Sequence, residues 1–341
     1  MRIGVPREIK DGEFRVALTP AAVSQLTNVV VEPGAGAGVG FSDADYVAAG
    51  ATLGNAWDCE LVVKVKELQE PEYGKPRPGQ IICGFQQFTA DRELLDAALA
   101  SGATFVVYHT VGQETGCPIL APMSAIAGRL AVQVGAWCLQ RQNGGSGVLL
   151  PGLDGVPPGK VVILGAGSVG ANALAVANGL GAAISVFARS DRRFAALRER
   201  FPRAQYRTGL DAQAIVDADL VIGGVFLPGQ RSPKLLSRGT LAAMRPGSAL
   251  VDVGIDQGGI AETSRPTTHS DPIYIAEGVV HYCVPNMPAA CARTASLALE
   301  RAVLPYVQML ARGEMNDDLR TGVQVAGGKV VHPQLARDTG R

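Results

Sequence analysis

Short runs of consecutive apolar residues recur along this chain, and one longer segment spaces its apolar groups as a helix does. Met1 to Pro6, Val29 to Glu32, Gln80 to Phe85 and Thr104 to Tyr108 read as strands. Leu61-Val62-Val63-Lys64-Val65-Lys66 reads as a strand whose end carries charge. Thr19-Pro20-Ala21-Ala22-Val23 reads as a helix start, with Thr19 as N-cap and Pro20 at the first helical position. From Met123 to Arg141 the apolar positions Ile126, Leu130, Val134 and Trp137 predict a long helix joining two domains. Loops follow at Gly144-Gly145-Ser146-Gly147 and Pro157-Pro158-Gly159. Beyond them Val161 to Leu164 and Ile184 to Phe187 read as strands, and Ala218 to Gly223 and Ala249 to Val253 are short apolar runs typical of buried parallel strands. Strands alternating with helices predict two α/β domains with a cleft between them, and ligands at the carboxyl ends of the strands. On that basis Arg15, Lys66 and Asp256 are the charged candidates for chemistry.

One strand exit is more specific. Val161-Val162-Ile163-Leu164 runs into Gly165-Ala166-Gly167-Ser168-Val169-Gly170, a G-x-G-x-x-G pattern between a strand and a helix start. Gly165 allows a tight turn, Gly167 lets main chain approach a pyrophosphate, and Gly170 lets helix pack on strand. The helix start offers free N–H groups and the positive end of a dipole. The next strand ends in Ala188-Arg189-Ser190, followed by Arg192 and Arg193. Sites for NAD usually place an acid where Ala188 stands. Without it, a ribose 2′-phosphate is not repelled, and Arg189 and Arg193 offer it guanidinium partners. The expected cofactor is therefore NADP(H) rather than NAD(H). Ser168, Val169, Ser190 and the later strand exits Val225, Leu227 and Ile255 complete the expected cofactor contacts.

Composition narrows the class. The 341 residues suffice for two cores. Lys plus Arg and Asp plus Glu both number 31, so no broad basic field points to nucleic acid. The uncharged stretch from Val161 to Phe187 is long enough for a bilayer, but its glycines, asparagines and strand–turn–helix pattern make it a buried unit instead. No membrane segment or signal peptide is read, and a cytoplasmic location is expected. The scattered cysteines form neither C-x-x-C nor, with histidine, a metal pattern, so no metal is expected.

Several blocks resemble the alanine dehydrogenase and transhydrogenase α-subunit family. They are Met1 to Glu8, Glu13-Phe14-Arg15-Val16-Ala17-Leu18-Thr19-Pro20, Val63-Lys64-Val65-Lys66-Glu67, Leu120-Ala121-Pro122-Met123-Ser124, Val253 to Gly259, Ser264 to Thr268 and Asn286-Met287-Pro288. The resemblance implies a catalytic domain split over residues 1–120 and 292–341 around a central Rossmann domain, residues 121–291. It places Arg15 and Lys66 on the substrate carboxylate and oxo group, and Asp256 beside the nicotinamide. Met123 falls to the substrate, Ser124 to the cofactor and Asn286 to both. A homo-oligomer, dimer to hexamer, is implied too.

Two departures touch the chemistry. The family's catalytic histidine aligns with Gln87, which cannot exchange a proton near neutral pH. His109 stands where the family has Glu, and is either a replacement imidazole or a structural strand-end residue. With the cofactor change, these predict NADPH-dependent reduction of a C=N or C=O bond beside a carboxylate, in amino-acid dehydrogenation or imine reduction. An oxo, imino or amino acid is the expected partner. The alternatives are an ordinary alanine dehydrogenase and a catalytically silent NADP-binding protein.

Overall fold

The computed structural model describes residues 1–225 and 231–341. These fall into two compact units, Met1–Met123 with Cys291–Arg341 (unit 1) and Ser124–Ala290 (unit 2). Unit 1 opens with strands β1 (Ile3–Val5), β2 (Val29–Val31), β3 (Thr52–Leu53), β4 (Leu61–Val63), β5 (Ile81–Gly84) and β6 (Thr104–Val107). Unit 2 holds β7 (Lys160–Leu164), β8 (Ala183–Ala188), β9 (Gln205–Thr208), β10 (Leu220–Gly223), β11 (Ala249–Asp252), β12 (Ile273–Ala276) and β13 (Val279–Tyr282). The chain then returns to unit 1 with β14 (Val323–Ala326) and β15 (Lys329–Val330).

Each unit is a doubly wound sheet. In unit 1 the parallel strands run β3-β2-β1-β4-β5-β6, with β14 antiparallel to β6 beyond it and β15 antiparallel to β14. In unit 2 they run β9-β8-β7-β10-β11-β13, with antiparallel β12 on the edge. Both orders reverse direction beside their first strand, the place where such sheets bind ligands at the carboxyl edge.

The β7 run is apolar throughout because both faces of its sheet are covered. Val161 and Ile163 pack in one core with residues of the helices Leu120–Cys138 and Ser168–Leu180. Val162 and Leu164 point the other way, into a core with Ile215, Leu241 and Leu250. The two-residue period of a strand produces this division. In unit 1, Val62, Ile82 and Phe105 form the corresponding layer with helix residues Leu94, Leu95 and Ala98.

Three expectations shift at element ends. β4 stops at Val63, because Lys64 and its successors leave the regular ladder. The long helix spans Leu120–Cys138, and Arg141–Asn143 is a separate 3₁₀ turn. Gln140 between them is extended, at φ −72° and ψ 144°, which ends the helical path. The helix at Thr19 is a single turn, Pro20–Val23. Its N-cap Thr19 donates its main-chain N–H to Glu300 Oε2 at 2.9 Å, while its hydroxyl caps nothing. The stretch from Val161 to Phe187 folds as β7, a glycine turn, a helix and β8. Among the described residues no helix is long and apolar enough to cross a membrane.

Candidate active site

In unit 2 the glycine turn leaves β7 beside the exit of β10. Gly165 adopts φ +110°, and a Cβ on it would lie 2.6 Å from the carbonyl oxygen of Gly224. A methyl group on Gly170 would overlap the carbonyl oxygen of Gly165. Both glycines are therefore required by the chain itself. Gly167 is different. It is the N-cap of the helix Ser168–Leu180, and a Cβ there would meet only Arg193 Nη1, at 3.8 Å. Nothing inside the protein needs Gly167 to be small. Open space before a helix start, at the positive end of its dipole, fits a phosphate.

The β8 exit lies in the same unit. Ala188 is half-buried, and Arg189, Ser190, Asp191, Arg192 and Arg193 are exposed. Among the described residues no ion pair joins Arg189, Arg192 or Arg193 to a carboxylate, whereas Arg207, Arg238 and Arg245 are each paired. A group of uncommitted guanidiniums beside the glycine turn fits a polyanionic cofactor. Asp191 stands in this loop as well, three residues past the end of β8. Ser124, Ser168, Val169 and Val225 are partly exposed, and Ile255 is buried. Leu227 lies outside the described residues.

Asp256 and Asn286 meet within unit 2. The Asn286 main-chain N–H donates to Asp256 Oδ2 at 3.5 Å. Asn286 sits at φ +54°, a left-handed conformation that asparagine tolerates better than most side chains. Capping of the 3₁₀ turn Val253–Gln257 falls to Asp252, which accepts from Gly254 N at 3.1 Å and Ile260 N at 2.7 Å. Asp256 remains exposed on that turn.

Unit 1 assembles the remaining candidates. β6, β5, β4 and β1 are consecutive neighbours, so His109, Gln87, Lys66 and Glu8 all leave the same sheet edge. The exits are stitched together: Lys64 N donates to Cys83 O at 2.8 Å, Phe85 N to Val65 O at 2.9 Å and Tyr108 N to Gly84 O at 3.1 Å. Lys64 and Lys66 then take separate partners. Lys64 is fully buried and pairs with Glu72 at 2.9 Å and Glu8 at 3.4 Å. Lys66 is 8% exposed, and its Nζ lies 2.9 Å from Glu67 Oε2. Burial would push the Glu67 carboxyl up, but Lys66 and the hydrogen-bonded Lys10 hold it down to about 2. Lys66 is thus neither a snorkelling nor a free lysine.

Arg15 lies in the loop after β1 rather than at a strand end, and it is 2% exposed. Its Nε and Nη2 donate to the two oxygens of Glu13 at 2.7 and 2.5 Å, which fixes the guanidinium plane. Its Nη1 donates to Met123 Sδ at 3.3 Å. Arg15 and Met123 are therefore together. His109 is half-buried, and its imidazole is pushed down to about 4, by burial first and then by the charges of Lys66 and His332. It is neutral at neutral pH. Gln87 uses its carbonyl oxygen to hold a turn, accepting from Ala90 N and Asp91 N. Among the described residues its side-chain amide makes no hydrogen bond. Sequence reasoning passed over Glu8, Glu13, Glu67 and His332. The first three lie within the segments already singled out, close to the cations they orient. His332 carries no motif and comes close to His109 only through the pairing of β14 with β6.

Comparison with known proteins covers almost the whole chain. Residues 4–127 match the family model described as alanine dehydrogenase/PNT, N-terminal domain, and residues 131–333 match its C-terminal domain. An alanine dehydrogenase of Halomonas elongata is 45% identical, over 100% of this chain and 97% of that protein. A solved L-alanine dehydrogenase superposes with a TM-score of 0.95 at 44% identity, covering 100% of this chain and 99% of the other. A transhydrogenase from Sinorhizobium meliloti superposes with a TM-score of 0.82 at 25% identity, over 97% and 100%.

Proposed function

Because this chain belongs to the alanine dehydrogenase/PNT family, we propose that it is an amino-acid dehydrogenase working with a nicotinamide dinucleotide, interconverting alanine or a similarly small amino acid with its 2-oxo acid and ammonia. The observation that carries this reading is a pair of buried cations in unit 1, each fixed by its own carboxylate: Arg15 on Glu13 and Lys66 on Glu67. A pre-oriented guanidinium suits a substrate carboxylate, and an ammonium suits an oxo group gaining negative charge. The same pair would serve either reading; the likeness to alanine dehydrogenases at 45% identity supports the ordinary dehydrogenase over the more specialised reductase expected from the departures in sequence.

When bound, the nicotinamide supplies or removes the hydride. The protein's own groups do the rest. Lys66 polarises the C=O bond, so that ammonia can add to its carbon. The neutral imidazole of His109 accepts the proton that ammonia sheds and returns one to the departing hydroxyl. Gln87 donates and accepts hydrogen bonds without changing charge. Gly167, the helix start behind it, Arg189 and Arg193 would hold the cofactor phosphates.

We infer NADP(H) as the preferred cofactor. Ala188 offers no carboxylate to a ribose 2′-hydroxyl, and Arg189 and Arg193 have no carboxylate partner among the described residues. Fluorescence titration with NADPH and NADH tests this. NADPH is expected to bind at least about ten-fold tighter, a difference of about 1.4 kcal/mol, and Ala188→Asp to narrow or reverse the order. Tighter NADH binding by the unaltered protein would sink the cofactor assignment. Gln87 favours one second reading, the reduction of a preformed imine, which needs less proton handling than ammonia addition. Rates with pyruvate plus ammonia set against cyclic imino acids separate the two.

A further inference from the structure

Lys66 is positioned by more than Glu67. β1 and β4 pair in register through Ile3↔Leu61 and Gly4↔Val62. Pro6 then follows β1 and has no N–H to offer, and the β1–β4 ladder goes no further than Gly4. The main chain beyond β4 therefore loses its neighbour just where Lys66 must be presented. The Glu8 side chain takes that neighbour's place. Its Oε1 accepts from Val65 N at 2.7 Å, and its Oε2 faces Lys66 N at 3.4 Å. On the other edge Val65 O accepts from Phe85 N at 2.9 Å. Residues 65 and 66 are thus held on both sides, by a carboxylate on one and by the β5 extension on the other. The Glu8 side chain is 3% exposed, and such a buried carboxylate needs a counter-charge. Lys64 supplies it, shared with Glu72.

We propose that Glu8 is a positioning residue for Lys66: its carboxylate stands in for a missing strand and fixes the main chain that presents the ammonium to substrate. Lys64 is the buried counter-ion that makes this substitution tolerable. The proposal rests on the reading that Lys66 meets the substrate oxo group.

Glu72 provides the control. It shares Lys64 with Glu8 and is as deeply buried, but the main chain of residues 65 and 66 does not use it. The variants Glu8→Ala, Glu8→Gln and Glu72→Gln are made in the full chain. The Michaelis constant for the oxo acid, NADPH affinity, melting temperature and amide exchange across residues 64–67 are measured in each. Glu8→Ala should raise the Michaelis constant about ten-fold and speed exchange of the Val65 and Lys66 amides by at least that factor. Glu8→Gln keeps one acceptor oxygen and should fall between Glu8→Ala and the unaltered protein. NADPH affinity should stay within two-fold throughout. Glu72→Gln should lower the melting temperature yet leave both the Michaelis constant and the exchange near their starting values. Equal effects of Glu72→Gln and Glu8→Ala on the Michaelis constant would overturn the proposal, because a shared structural role explains them. If no 2-oxo acid binds to the unaltered protein, the functional reading fails separately, and unchanged exchange in Glu8→Ala overturns the positioning role by itself.

Discussion

At the scale of single residues, burial decides what each charged group can do. Arg15 and Lys66 stand out in sequence because of their surroundings, but sequence does not show that both are buried or that each is committed to an acid nearby. Those acids were legible only as neighbours in the chain, since a pairing partner is identified by three-dimensional proximity. His109 leads to a prediction with a definite sign. Its folded pKa of about 4 lies below the ordinary imidazole value. Between these two values the unfolded chain binds a proton that the folded protein does not, so stability falls as pH drops through that window and is fully present above it. His281 and His332 are shifted in the same direction, each by burial first. Melting curves from pH 7 to pH 4 should show this loss, and His109→Gln should flatten part of it. If His109 handles the reaction's proton, kcat/KM should show no inflection near pH 6.5, only a limb near pH 4.

At the scale of elements, the glycine turn separates two roles that look alike in sequence. Gly170 answers to packing and Gly167 to what lies in front of it. Gly170→Ala must push the helix off β7, which costs about 1–3 kcal/mol or more, read as a drop in denaturant midpoint. Gly167→Ala should alter stability by less than about 1 kcal/mol while weakening cofactor binding at least ten-fold in a fluorescence titration. A large stability loss with intact binding at Gly167 would reverse that division. The apolar runs located the strand centres well, because full burial on both faces leaves a continuous hydrophobic signal. Strand ends were less legible. β4 reads as continuing to Lys66, since alternation persists there, yet its ladder with β1 goes no further than Gly4. No local pattern records where a neighbour leaves.

At the scale of the whole molecule, both sheets share one strand order, reversing beside β1 and beside β7. Alternating strands and helices imply a doubly wound class. They do not fix the order, which depends on pairing between residues far apart in sequence. The pairing of β14 with β6 is the clearest case, joining residues separated by more than half the chain. A ligand that binds only the folded state stabilises it by about 2.7 kcal/mol at a hundred times its dissociation constant. NADPH should therefore raise the melting temperature by several degrees, more than NADH does at equal concentration. An equal or larger shift with NADH would count against the assigned preference.

The division of unit 1 between the two ends of the chain has a consequence for its biogenesis. Every residue of unit 2 has been translated before Cys291 appears, so the central sheet can close while the polypeptide is still growing. Unit 1, though begun first, must wait. Until the last segment emerges, β6 exposes a raw edge, and the Val16 and Thr19 amides lack Ser296 and Glu300. Released chains truncated in the helix Ala292–Ala311 should carry a protease-resistant core from their middle and a cleavable beginning, the reverse of the usual vectorial order.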